Sequence, residues 1–337
     1  MKSSERGYRY LPTVRRVEYL LDFLEAVSEG YDRERVEQKL AERKTAFEFE
    51  KSKALGRGRP FMKKLKRTKR LREHCLALST HIGFVKGNGQ LELTDEGKVF
   101  LGSEEIKQRN MLTRKLLGVY TVFVHIIMTL SKLSQVEVVL PMKKNNVIFV
   151  QKATPYGLKV GQTTFEVVRD LASQLDLMNW HPVETSEGRY EKVYLTCEIM
   201  NRGQADSFGI HQRELGEFPK FINENQEFWI RPMRVENEKF KQVLWEEYLK
   251  ATKYVPRKPV FYSRLRSEVC YKLRISDLVF DYHANQMMKS DKVYRLIGSG
   301  GSLPYSRDMA SLLKSLPIKT ERGEYIVYLK MDTKRGS

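Results

Sequence analysis

An apolar side chain recurs at every third or fourth position near the start of the chain. The positions are Val14, Val17, Leu20, Leu21, Leu24 and Val27. This spacing places all six side chains on one face of an α-helix, which predicts an amphipathic helix with that face in a core. Gly30 then predicts the end of the helix, and Asp32 is a suitable cap for a second helix over residues 32–44.

A third helix is predicted over residues 62–82, because its apolar or small positions again step by three or four. Those positions are Leu65, Thr68, Leu71, Cys75, Leu78 and Ile82. Two short extended segments follow, at residues 84–85 and 90–93, and a Gly-Asn-Gly turn separates them. A short helix from Thr94 closes the pattern. The prediction is therefore three helices, a hairpin and a closing helix.

This order of elements resembles the winged helix-turn-helix superfamily of DNA-binding proteins. The resemblance covers residues 10–103 and rests on the order and spacing of the elements. It implies that the third helix is a recognition helix, whose N-terminal part enters the major groove of DNA while flanking residues fix the backbone. It also implies that the hairpin is the wing.

The third helix begins inside the most basic stretch of the chain. Between Lys51 and Arg72 there are eleven basic residues and no acidic one. We expect the inward face of the helix to hold the core and the opposite face to meet phosphates or base edges, with Lys63, Lys66, Arg67 and Arg70 as the favoured contacts. The full set of candidate DNA-binding residues, with two from the wing, is Arg57, Arg59, Lys63, Lys64, Lys66, Arg67, Lys69, Arg70, Lys86 and Asn88.

Three alternatives remain for the basic stretch. The residues Arg57 to Pro60 resemble the core of an AT-hook, which would place its arginines in a narrow minor groove. The stretch is also compatible with a solvated charged face that has no ligand. RNA is a further alternative, because a phosphate backbone is common to both polymers.

The rest of the chain repeats the pattern of helices and hairpins more faintly. An apolar helix over residues 112–130 precedes a second helix, and a hairpin turns around Ser186. The inward face of that second helix is formed by Phe165, Val168, Ala172, Leu175 and Met178. Residues 136–152 are compatible with a sheet. Glu166, Arg169 and Asp170 are a poor set for facing phosphates, so this module is expected to contact protein instead.

The last repetition begins at residue 259 and has two helices, the second capped by Ser276, followed by two wing-like strands. Asn285, Gln286 and Lys289 are candidates for a second DNA contact, whereas His283 is expected to be structural. A helix is predicted at residues 307–316, in the insertion between the strands. The predicted fold class is mainly α with small β-hairpins (α+β), in tandem winged-helix modules. The predicted domains are residues 1–104, 105–200 and 259–337, with 201–258 as connector or interface.

The formal net charge of the 337-residue chain is +18, which favours a polyanionic partner through release of counterions. Cys75, Cys197 and Cys270 lie far apart and form no cluster. A reducing, intracellular setting is therefore expected: cytoplasmic, at the nucleoid in a prokaryote or in the nucleus of a eukaryote. The apolar run at residues 118–130 is shorter than a membrane-spanning helix, so no membrane association is expected.

No catalytic constellation, metal site or cofactor is expected. The carboxylate-x-Lys pairs at Glu37 and Glu105 fall in helix-like segments, not on the strand pair that a two-metal nuclease needs. The sequence thus predicts a non-enzymatic protein that binds double-stranded DNA, as a subunit of a larger DNA-processing or prokaryotic defence complex. Protein partners or self-association are expected through residues 105–258. The alternatives are a transcriptional regulator and a metal-dependent nuclease with an unrecognised active site.

Overall fold

A computed structural model shows a mainly helical chain with small antiparallel sheets, which confirms the prediction of a mainly α chain with small β-hairpins. It describes residues 11–54, 66–87, 90–133, 138–143, 146–151, 154–158, 160–185, 188–255, 257–290, 294–299 and 325–331. The chain divides into two compact units. Unit 1 comprises Met1–Lys44, Lys63–Met178 and Cys197–Pro232, and unit 2 comprises Thr45–Met62, Asn179–Thr196 and Met233–Ser337.

Unit 1 begins with the helices and hairpin that the sequence predicts, and continues with further helices and two sets of strands. The helices are α1 (Val17–Ser28), α2 (Arg33–Ala54, which passes into unit 2 at Thr45), α3 (Lys66–His81), α4 (Asp95–Leu101), α5 (Glu105–Val119), α6 (Thr121–Lys132), α7 (Gln162–Gln174), α8 (Arg202–Ser207) and α9 (Gln212–Leu215). The strands are β1 (Val85–Lys86), β2 (Glu92–Leu93), β3 (Val138–Lys143), β4 (Asn146–Gln151), β5 (Thr154–Leu158), β8 (Cys197–Asn201), β9 (Lys220–Asn223) and β10 (Gln226–Pro232).

Helix α1 buries the face that its apolar spacing predicts. Leu20, Leu24 and Val27 are at most 4% exposed. The predicted stop is confirmed by Gly30, which has a φ of +97° that favours glycine. The predicted cap of α2 is also confirmed, because the Asp32 carboxylate accepts a hydrogen bond of 3.0 Å from the backbone N–H of Glu34.

The predicted hairpin is present as β1 and β2, which pair antiparallel with Val85 opposite Leu93. Thr94 caps α4 by accepting a hydrogen bond of 3.0 Å from the backbone N–H of Gly97. Gly97 lies so close to Phe84, the residue before β1, that a Cβ atom there would be 2.2 Å from its carbonyl oxygen. The closing helix therefore seals the core of this region through backbone contact that only glycine permits.

The single apolar helix predicted over residues 112–130 is wrong. The chain breaks at Tyr120, where the backbone is extended, and α5 and α6 meet at a bend of 102°. Tyr120 is fully buried, and its hydroxyl lies 2.8 Å from Nδ1 of His81. Because the apolar pattern continues through the break without proline, the periodicity does not reveal it.

The apolar side chains of α6 are buried within unit 1, where the helix packs against α7 and β8. In the part of the chain that the structure describes, no single helix is long and apolar enough to cross a membrane. Among the described helices, one bent pair, α5 with α6, has the length and apolar composition of a membrane span when the two helices are taken together.

The strands of unit 1 form antiparallel groups. Residues 136–152, which the sequence leaves as a candidate sheet, contribute β3 and β4, and the local strand order is β5-β4-β3. A second sheet has the order β8-β10-β9. The predicted inward face of α7 is confirmed for Phe165, Val168 and Ala172, which are fully buried. It is wrong for the last two positions, because the helix ends at Gln174, Leu175 follows it, and Met178 begins a strand.

Unit 2 consists of a hairpin and a helical core closed by a three-stranded sheet. Its strands are β6 (Met178–Thr185, of which Met178 belongs to unit 1), β7 (Gly188–Leu195), β11 (Val260–Phe261), β12 (Tyr294–Ser299) and β13 (Tyr325–Met331), and its helices are α10 (Asn237–Ala251), α11 (Tyr262–Leu273) and α12 (Asp277–Ser290). The sheet has the order β11-β13-β12 and is antiparallel, with Val260 opposite Leu329. The sequence of elements from α10 is therefore helix, strand, helix, helix, strand, strand.

Residues 201–258 are predicted to be a connector or interface. Helix α10 lies within this range but belongs to the core of unit 2, so the prediction is wrong for this helix. Phe240, Leu244 and Tyr248 are buried, and α10 packs against α11. These positions are four residues apart, so the signal of a core helix is present in the sequence. The predicted cap at Ser276 is confirmed by a 3.3 Å hydrogen bond from the Val279 N–H. The helix predicted at residues 307–316 lies outside the described residues.

Candidate nucleic-acid interface

Helix α3 has one face in the core of unit 1 and one face in solvent. Thr68, Cys75 and Leu78 are at most 3% exposed, as the predicted inward face requires. Lys69 and Arg70, at the N-terminal end of the helix, are exposed. The helix therefore presents cations to solvent while its opposite side is held by packing.

Arg72 behaves differently from the other basic residues of the stretch. Its side chain is only 8% exposed, and Nε donates a hydrogen bond of 2.9 Å to Glu37 of α2. Nη1 donates a second bond of 2.8 Å to the Tyr31 hydroxyl. Burial by itself would lower the pKa of Arg72, but the bonds to Tyr31 and Glu37 outweigh it and raise the pKa above its usual value. Arg72 thus fastens α3 to α2 and is withdrawn from the exposed basic set.

A second arginine fastens α2 to α1. Arg43 donates two hydrogen bonds of 2.8 Å to the carboxylate of Asp22, whose side chain is only 2% exposed. These hydrogen bonds raise the pKa of Arg43, so its guanidinium stays charged. Lys39 lies 2.7 Å from Glu25 in the same pair of helices. The three helices are therefore linked through charged side chains as well as through their apolar core.

The remaining predicted residues of this region are described to different extents. Arg57, Arg59, Lys63, Lys64 and Asn88 lie outside the described residues, and so does the hook-like segment from Arg57 to Pro60. Lys66 and Arg67 form the first turn of α3, where only the backbone is described. Among the predicted contacts of this region, the side chains that are described and exposed are those of Lys69, Arg70 and Lys86.

The hairpin presents Lys86 to solvent at the end of β1. Its side chain is 66% exposed, and its ammonium lies 3.9 Å from the equally exposed carboxylate of Glu92. An ion pair this long and this exposed contributes little and is readily exchanged for another anion. The next residue, Gly87, has a φ of +105°, and a Cβ atom there would be 2.2 Å from the carbonyl oxygen of Gln90. The turn that follows Lys86 therefore requires glycine at this position.

The polar face of α7 is used within the chain. Glu166 forms an ion pair with Arg15, and Asp170 lies 3.5 Å from the same arginine. The Gln174 side chain accepts a hydrogen bond of 2.9 Å from the Val17 N–H at the start of α1. The acidic face, expected to contact protein, thus contacts the segment that leads into α1.

The predicted second contact, on α12, has a mixed surface. Gln286 is exposed and Asn285 is half-buried, whereas only the backbone of Lys289 is described. The same helix exposes Leu278 and Tyr282, which are 51% and 60% exposed. Among the described side chains, this face therefore offers carbon surface and an amide more than positive charge. His283 of this helix is buried and lies 2.8 Å from Asn237, and burial lowers its pKa.

A buried charged cluster that the sequence analysis missed holds α12 against α11. Arg266 of α11 has only 2% of its side chain exposed and lies 3.0 Å from Asp281 and 3.8 Å from Asp277. The Tyr262 hydroxyl donates a bond of 2.7 Å to Asp281, and Asn179 donates one of 3.0 Å to Asp277. The sequence does contain a signal for this cluster. Asp277 and Asp281 are one helical turn apart, and they follow an arginine that stands among apolar residues.

The carboxylates considered for nuclease chemistry are engaged in ion pairs on helices. Glu37 contacts Arg33 and Arg72, and Glu105 contacts Arg109. Within the described ranges, no group of three or more His, Cys, Asp or Glu side chains is arranged to hold a metal ion.

Comparison of the chain with protein-family models, with curated proteins and with solved structures found no match. The function proposed below therefore rests on these residues and their geometry alone.

Proposed function

We propose that the chain binds double-stranded DNA, with α3 of unit 1 as the helix that enters the major groove. The observation that carries the proposal is the exposure of Lys69 and Arg70 on a helix whose opposite face lies in the core. We also propose that α1 to α4 with the β1–β2 hairpin form a winged helix, since three helices followed by a hairpin are the elements of that fold.

The way α3 is held supports a role in binding. Arg72 connects α3 to α2 through Glu37, and Arg43 connects α2 to α1 through Asp22. The position of α3 is therefore fixed relative to both other helices. A helix whose position is fixed before binding loses less conformational entropy when its partner arrives. The arrangement is suited to a helix that must keep its orientation in a groove.

Duplex DNA is favoured over duplex RNA for a geometric reason. The major groove of B-form DNA is wide enough to admit an α-helix, whereas the major groove of A-form RNA is too deep and narrow for side chains to read. The exposed cations lie on a helix, together with Lys86 on the hairpin beside it in sequence. We therefore place phosphate and base-edge contacts on α3 and an additional phosphate contact on the hairpin.

The proposal is tested by replacing both exposed cations of α3. We expect Lys69→Ala/Arg70→Ala to weaken binding to a blunt DNA duplex by about 10-fold to 100-fold, as loss of direct contacts requires. The slope of log K against log salt should become shallower by up to about 1.8, since each lost phosphate contact removes about 0.9. Fluorescence anisotropy over a range of salt concentrations measures both quantities.

The matched control is Lys107→Ala/Lys132→Ala, which removes two exposed cations from α5 and α6 of the same unit. It lowers the net charge by the same amount and should change the salt slope by less than half as much. Equal effects from the two double variants would show attraction by overall charge only and would contradict a site on α3.

A further inference from the structure

The loop of residues 252–258 in unit 2, which joins α10 to β11, is a second exposed basic surface. It lies in a stretch of twenty residues, between Glu247 and Glu268, that contains six basic residues and no acidic one. Lys253, Arg257 and Lys258 are exposed in this loop, and Pro256 lies outside the described residues. A positive surface of this kind is complementary to a phosphate chain.

The same loop presents an aromatic ring to solvent. The side chain of Tyr254 is 71% exposed and that of its neighbour Val255 is 55% exposed, so neither serves the core of unit 2. An exposed tyrosine among cations matches the surfaces that bind single-stranded nucleic acid, where bases stack on aromatic rings and cations contact the backbone. A base in a closed duplex has no free face to offer such a ring.

The backbone of the loop is held in an unfavourable conformation. Lys253, Tyr254 and Arg257 have φ values of 55°, 62° and 67°, in the left-handed region that costs a residue with a side chain about 1 kcal/mol or more. Glycine would relieve this cost but would remove the cations and the ring. Side chains are therefore kept at positions where the backbone conformation disfavours them.

The surrounding contacts explain how this conformation is maintained. The buried Tyr248 hydroxyl donates a hydrogen bond of 2.8 Å to the carbonyl oxygen of Lys258. The Tyr254 N–H donates one of 2.7 Å to Leu249, and the Arg257 N–H donates one of 3.2 Å to Met331 of β13. The loop is tied at both ends to the core of unit 2, so Tyr254 is presented on a fixed support.

We propose that this loop binds an unpaired DNA strand, with a base stacked on Tyr254 and phosphates contacted by Lys253, Arg257 and Lys258. This inference rests on the proposed function for the identity of the polymer as DNA. It adds a second binding surface with a different preference: α3 is assigned to the duplex and the loop to single-stranded DNA.

The test measures binding of the full-length chain to a short single-stranded DNA and to a blunt duplex. We expect Tyr254→Ala to weaken single-strand binding by about tenfold, the loss of one stacked base, while duplex binding changes by less than about twofold. Tyr254→Phe keeps the ring and should bind the single strand within about twofold of the unchanged protein. A purely structural role of Tyr254 would not produce this difference between the two polymers.

The cations are tested by Lys253→Ala/Lys258→Ala, which should make the salt slope for the single strand shallower by up to about 1.4, or about 0.7 per lost contact. Arg234→Ala/Lys239→Ala is the matched control, because it removes two exposed cations from the same unit outside the loop. Similar slopes for the two double variants would overturn the assignment of the loop.

The outcomes for the two proposals are distinguishable. If Tyr254→Ala leaves single-strand binding unchanged, the assignment of the loop is overturned. If Lys69→Ala/Arg70→Ala weakens duplex binding in the same experiments, the duplex proposal still stands. An unchanged protein that binds neither polymer overturns both. Because Tyr254 is exposed, circular dichroism and a thermal melt are expected to match those of the unchanged protein and verify that the variants are folded.

Discussion

Arg70 and Arg72 are two residues apart on α3 and have opposite environments. Arg70 is exposed. Partial burial of His74, one turn further along the helix, lowers the pKa of that histidine, and the charge of Arg70 lowers it further. Arg72 is buried against Glu37 and Tyr31. In a helix, positions two apart point about 200° away from each other, so a continuous basic run divides between the surface and the interior.

This division predicts different consequences for the two arginines. Arg72→Ala should lower the free energy of unfolding by about 2 kcal/mol, because it leaves Glu37 without its buried partner. The salt slope of DNA binding should stay the same where the variant is folded, since Arg72 contacts no phosphate. Urea denaturation gives the first quantity and anisotropy the second.

Arg33→Ala provides the control for Arg72→Ala, because Arg33 contacts the same carboxylate at 3.4 Å but has 55% of its side chain exposed. Loss of an exposed pair should cost at most about 0.5 kcal/mol. A shallower salt slope for Arg72→Ala would mean that this side chain reaches DNA, contrary to its buried position.

At the level of helices and strands, local patterns predict much of the fold. The face of α1, the stop at Gly30, the hairpin after α3 and the cap at Ser276 all follow from residues within a few positions of one another. These features depend on helical spacing, turn residues and capping residues, and each of these signals involves residues that are close together in the sequence.

Features that depend on distant contacts are not predicted. The bend at Tyr120 depends on its burial and on His81, and the placement of α10 depends on its packing with α11. In the candidate site, the exposed side of α3 is predicted from the sequence. The burial of Arg72 is not predicted, because it depends on a hydrogen bond to Glu37, which lies 35 residues away. The 252–258 loop is missed because its left-handed residues are not glycines and give no turn signal.

Two glycines test how the elements pack. Gly97→Ala should destabilise the chain by about 1–3 kcal/mol, because the new methyl group would meet the backbone of Phe84 and α4 would have to move. Gly118→Ala in α5 should stabilise the chain by about 0.5–1 kcal/mol. Apart from the adjoining backbone of α5 itself, nothing lies within 4 Å of the added Cβ atom, and alanine favours a helix. Thermal or urea denaturation of both variants checks the two signs, and destabilisation by Gly118→Ala would contradict the open space at that position.

At the scale of the whole molecule, each unit has its own core and its own candidate contact surface. Unit 1 carries α3, and unit 2 carries the 252–258 loop. Two surfaces with different preferences would suit a protein that acts on DNA where duplex and unpaired strand are both present.

Recognition of duplex DNA by α3 can be measured by competition for a labelled DNA duplex at about 0.15 M salt, where long-range attraction between exposed charges is largely screened. The unlabelled competitors are the same duplex, an RNA duplex of equal length and heparin, matched in charge. We expect the DNA duplex to displace the label at the lowest concentration, because the major groove of B-form DNA admits an α-helix and that of A-form RNA does not. Equal displacement by RNA or heparin would show a general affinity for polyanions and contradict duplex DNA as the ligand of α3.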